Sequence, residues 1–60
     1  MYKLEDFSIG MLVEVMVHDS PYHDFGDELE IYNIRRGEIV LLDNSGGAVA
    51  YKPNQLKPTI

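Results

Sequence analysis

Glycine-centred turns cut this chain into short apolar runs, and that punctuation restricts it to a small all-β fold. The runs are Met11-Leu-Val-Glu-Val-Met-Val17, Glu28-Leu-Glu-Ile-Tyr-Asn-Ile34 and Glu38-Ile-Val-Leu-Leu42. Each has strand length and is rich in branched side chains. In the first, Met11, Val13, Val15 and Val17 share one face, with Glu14 opposite; Leu12 and Met16 lie on the Glu14 side and are expected to cover a barrel end. In the second, Leu29 and Ile31 point one way and Glu28, Glu30 and Tyr32 the other. The third is apolar on both faces, which predicts the central, most buried strand.

The connections follow from turn chemistry. Arg35-Arg36-Gly37 makes one tight reversal, its glycine free to take positive φ, and Asp43-Asn44-Ser45-Gly46-Gly47 makes another. Ala48 to Tyr51 is predicted as a fourth strand, Pro53-Asn54-Gln55-Leu56 as a single helical turn opened by proline, and Thr59-Ile60 as a short closing strand. Before the first strand, Phe7 and Ile9 are expected to tuck beneath it from an extended lead-in. The result is a five-stranded small barrel with one short helical turn before its last strand.

Sixty residues make a single domain, residues 1–60, with a core near the lower limit for folding without disulfides, metals or a partner chain. Self-association is therefore among the expectations. A pocket able to enclose a substrate would empty much of that core, so an enzyme is not expected. The chain has no cysteine, hence no disulfide framework and no thiolate metal site. The first residues, Met1-Tyr-Lys-Leu-Glu-Asp-Phe7, place acids where a signal peptide needs an apolar core, and no run approaches a membrane span. The expected location is the cytoplasm.

The formal net charge is −5, but its distribution says more. Eight acids and only Lys3 fall in residues 1–34, whereas residues 35–60 carry Arg35, Arg36, Lys52 and Lys57 against Glu38 and Asp43. Overall acidity opposes binding to a phosphate backbone and favours a basic partner.

The order of strand, long polar loop, three strands joined by tight turns, proline-led turn and final strand resembles the Src-homology-3-like small barrel over residues 9–60. The local motif is Tyr51-Lys52-Pro53-Asn54-Gln55-Leu56. It is similar to the aromatic-x-Pro-x-Asn-Tyr segment of true Src-homology-3 domains and to the Pro-x-x-Leu-x-Pro ending of barrels of the KOW and Tudor kind. Asp27-Glu28-Leu29 and Gly37-Glu38-Ile39 also look like the Asp-Glu-Leu and Gly-Asp-Ile elements of the peptide-binding family. That family grips proline-rich peptides with a tryptophan and an Asn-Tyr pair. This chain has no tryptophan and carries Gln55 and Leu56 in the pair's place, so polyproline binding is not expected; the peptide-binding alignment also leaves too few residues for the remaining hairpin, so the nearer resemblance is to the shorter-looped KOW- and Tudor-like barrels.

The loop from His18 to Glu28 concentrates the chemistry. Tyr22 and Phe25 among Asp24, Asp27 and Glu28, continued by Glu30 and Tyr32, form the expected protein-binding surface: rings supply contact area and carboxylates select a basic protein. His18, His23 and the neighbouring acids match no fixed metal-ligand spacing, so a solvated loop is expected and no cofactor is implied. Tyr32, Tyr51, Tyr22 and Phe25 could also converge into an aromatic cage for a cation, as in some Tudor-like barrels. Arg35, Arg36, Lys52 and Lys57 are the alternative site, for nucleic acid or ribonucleoprotein. No serine has the surroundings of an activated nucleophile, and no glycine-rich loop runs into a helix.

Overall fold

A computed structural model describes residues 2–59. It has six strands: β1 (Leu12–Val15), β2 (Glu28–Glu30), β3 (Asn33–Arg35), β4 (Glu38–Leu42), β5 (Ala48–Tyr51) and β6 (Leu56–Pro58). They form two three-stranded antiparallel sheets, ordered β2-β1-β6 and β3-β4-β5. No ladder joins β5 to the first sheet, so the expected closed five-stranded barrel is replaced by six strands in two open sheets. Among the described residues the only helical pieces are two 3₁₀ turns, Leu4–Asp6 and Pro53–Gln55. Among the described residues no helix is long and apolar enough to cross a membrane.

The sixth strand arises because the run 28–34 breaks. The Ile31 N–H bonds the Met11 carbonyl in the first sheet, and the Tyr32 N–H bonds the Val40 carbonyl in the second. The register also sets Asn33 opposite Val40, so two consecutive residues face one, as at a β-bulge. The extra residue bends the strand, and β2 and β3 are its two halves, handed from one sheet to the other.

Core composition follows strand alternation. Phe7, Val13, Val15, Ile31, Ile39, Leu41, Tyr51 and Leu56 form the buried cluster, with Met11, Val17, Leu29, Ile34 and Val49 half-buried against it. β4 is the middle strand of its sheet, and Ile39, Val40 and Leu41 are all buried, as its two apolar faces predict. Two expectations fail. Ile9 is 63% exposed because the chain turns at Gly10, whose φ is +89°, and only Phe7 reaches the core. Leu12 stands exposed on the outer face rather than covering an end.

The turns carry the predicted chemistry. Arg36 (φ +53°) and Gly37 (φ +79°) make a two-residue reversal between paired Arg35 and Glu38, with positive φ at both central positions as in a type I′ turn. In the 43–47 turn, Asp43 Oδ1 accepts from the N–H groups of Ser45 (2.8 Å) and Gly47 (2.7 Å). The Pro53 turn is closed by Gln55 Oε1, which accepts from the Lys52 N–H at 2.8 Å. The last strand begins at Leu56 instead of Thr59; Thr59 continues the pairing through its N–H to the Leu12 carbonyl, and Ile60 lies outside the described residues.

Candidate functional site

The bent strand places part of the expected protein-binding surface by simple alternation. Leu29 and Ile31 turn inward, leaving Glu28, Glu30 and Tyr32 on the solvent side of one continuous segment; Tyr32 is 58% exposed. The neighbouring strand adds to the same face. Leu12 lies opposite Glu30, and Glu14 lies directly opposite Glu28. On its other side Glu14 faces Lys57, with Nζ–Oε1 at 3.9 Å. Like charges paired across a ladder destabilise it.

The 18–27 loop leaves and re-enters this sheet through a pinched base, where the Val15 N–H bonds the Asp27 carbonyl and the Gly26 N–H bonds the Val15 carbonyl. Asp27 Oδ2 accepts from the Asp24 N–H at 2.9 Å, tying those two acids into one turn. Phe25 stacks flat on His18, with ring centroids 4.1 Å apart and planes 5° from parallel. That stack clips the two ends of the loop together while leaving Phe25 exposed. Tyr22 goes elsewhere: with Pro21 it lines a cleft against Asp43, Asn44 and Ser45 at the end of the β4–β5 hairpin. The structure thus leaves Glu28 and Glu30 exposed side by side on β2, with Tyr32 exposed just past the break, and ties Asp24 to Asp27 in the turn that leads into β2. It puts Tyr22 in a separate cleft.

Sequence reasoning missed His23. It is buried, 6% exposed, and both ring nitrogens are engaged: Nδ1 lies 2.7 Å from Tyr51 Oη and Nε2 lies 3.0 Å from the Leu42 carbonyl oxygen. A carbonyl only accepts, which assigns the proton to Nε2. In that tautomer Nδ1 accepts from the Tyr51 hydroxyl, and Tyr51 Oη in turn accepts from Ser20 Oγ at 2.8 Å. Ser20 Oγ also receives the N–H groups of Tyr22 (3.2 Å) and His23 (3.3 Å), a local turn that swings the imidazole inward. The chain Ser20–Tyr51–His23–Leu42 pins the loop to β4 and β5.

One alternative and one expectation give way here. Tyr51 is 4% exposed with its hydroxyl committed, so the four-ring cage loses a wall and does not form. The loop is not solvated throughout, and His23 has no free nitrogen to offer a metal. Among the described residues no three His, Asp or Glu side chains gather as a ligand set.

The cations divide. Arg35 and Arg36 sit exposed at the β3–β4 turn, and Lys52, one step past the β4–β5 register, falls beside Glu38 at the same end of that sheet. Lys57 is in the other sheet, paired with Glu14. Comparison with known proteins finds no matching family model, and no curated protein or solved structure matches the chain.

Proposed function

We propose that this chain is a non-enzymatic interaction module of Src-homology-3-like architecture, nearer the KOW and Tudor barrels than the polyproline binders. We further propose that it presents an acidic, aromatic surface to a basic protein. The architectural part rests on two three-stranded sheets sharing one bent strand, with a 3₁₀ turn immediately before the last strand. The functional part rests on one observation: Glu28, Glu30 and Tyr32 stand together in solvent, with Glu14 facing Glu28 across the ladder. A fold has no use for that repulsion, and local conflicts of this kind concentrate where a partner relieves them. Leu12 and Tyr32 add exposed apolar area beside the carboxylates.

Support for a non-catalytic role comes from the Ser20–Tyr51–His23 chain. Its hydroxyl and imidazole groups hydrogen-bond one another, the backbone and the loop, and hold structure. The lack of cysteine suits the reducing cytoplasm.

The test is a titration of isotope-labelled protein with a lysine- and arginine-rich peptide, followed amide by amide. Shifts should concentrate at residues 12–14 and 24–32, and Phe25→Ala with Asp27→Ala should weaken them in a folded protein. Equal shifts at every acid, or undiminished affinity in that folded variant, would remove the surface.

A further inference from the structure

Of the four outer sheet edges, three are blunted. At β2 the free edge runs past the exposed acids Glu28 and Glu30. On β3 the Ile34 N–H is taken by its neighbour Asn33, whose Oδ1 lies 2.9 Å away. In β6, Pro58 pairs with Val13 in the ladder and has no N–H to offer outward. Acids, local caps and proline are the usual means of stopping a strand from recruiting another.

The edge of β5 has none of these. The Asp43 N–H bonds the Gly47 carbonyl, and alternation from that pair directs the backbone groups of Val49 and Tyr51 toward β4. The N–H and C=O groups of Ala48 and Ala50 therefore point away from the sheet. Both residues are exposed, β5 pairs with β4 alone, and no turn or loop bond reaches either one among the described residues. From Asn44 to Tyr51 there is no charged side chain and no proline.

We infer that the β5 edge pairs antiparallel with the β5 edge of a second copy of this chain, joining two three-stranded sheets into one. The sequence is self-matching in that register. With Val49 on the two-fold axis, Ala48 of each copy faces Ala50 of the other, and all their outward N–H and C=O groups find partners. Their methyl side chains obstruct nothing. Further out, Lys52 falls opposite Gly46 and Asp43 opposite Gln55, so no like charges meet. The acids that would repel a second copy lie mainly in residues 1–34, whereas residues 35–60, which carry β5, have more cations than acids. This inference is independent of the acidic surface, whose glutamates Glu14, Glu28 and Glu30 lie on the other sheet.

Sedimentation of the intact chain from about 10 µM to about 1 mM tests it, a range suited to a short and weak interface. The expected result is a shift from the mass of one chain to that of two, with the Ala48 and Ala50 amides gaining protection from hydrogen exchange as the dimer forms. Ala50→Pro removes an outward N–H without touching the β4 ladder and should abolish the shift. Should that variant fail to fold, Ala48→Lys decides, because it leaves every backbone group in place and puts a charge at the edge. A single-chain mass throughout, including a β5 edge that pairs only with a foreign strand, would overturn the inference. So would a dimer that folded Ala48→Lys leaves intact.

Discussion

Removing one oxygen from the core should reveal how much the loop depends on its buried anchor. In Tyr51→Phe the ring stays in place and only Oη is lost. Ser20 Oγ keeps the two N–H groups it accepts from the loop backbone and is not fully buried. His23 Nδ1 is worse placed: its partner at 2.7 Å disappears and the imidazole is buried. An acceptor stranded in this way costs about 1–3 kcal/mol, so a loss of about 2 kcal/mol is expected. For a domain of this size that lowers Tm by roughly 8–16 °C. Urea unfolding followed by circular dichroism gives the value directly, with an unchanged m-value showing that only stability moved. Because the penalty belongs to the stranded nitrogen, adding His23→Leu to Tyr51→Phe should cost less than the two single losses together. A loss below about 0.5 kcal/mol, or strict additivity, would refute the buried-chain account.

Other outcomes follow from the same geometry. Arg36 holds a left-handed conformation that costs a side-chain residue roughly 1–2 kcal/mol, so Arg36→Gly should raise the urea midpoint; a lower midpoint would show that the arginine contributes more than its strain. Glu28→Lys removes the repulsion from Glu14 and should stabilise the fold by about 0.2–1 kcal/mol while weakening the proposed partner contact, and a destabilised variant would contradict the register argument. Asp43→Ala releases the Ser45 and Gly47 N–H groups in an exposed turn and should cost about 1 kcal/mol, read as a shift in midpoint; no shift would mean water replaces the aspartate in full.

Short-range chemistry was the legible part of this sequence. The apolar run 39–42, the Arg36-Gly37 reversal, the Asp43 turn and the Pro53 turn all depend on neighbours within a few residues, and each stands where residue type predicts. The break after Glu30 was not legible. In–out alternation continues through Ile31 and Tyr32 without a flaw, and the kink shows only in which remote strand receives each N–H. His23 was hidden for a similar reason. It sits in a polar loop, and its burial depends on a tyrosine 28 residues away and a carbonyl 19 residues away. The one local trace was Ser20, placed three residues earlier to turn the chain inward. For the candidate surface, alternation alone predicted the exposure of Glu28, Glu30 and Tyr32, whereas the diversion of Tyr22 to the 43–45 turn required the loop's own path.

Capture by immobilised protein tests the central claim most directly: nuclease-treated cell lysate is passed over wild type, Glu28→Lys with Glu30→Lys, and Arg35→Glu with Arg36→Glu. The account predicts that a basic protein is retained by wild type and by the arginine variant and lost from the glutamate variant. Retention by the glutamate variant together with loss from the arginine variant would contradict it and move function to the β3–β4 turn.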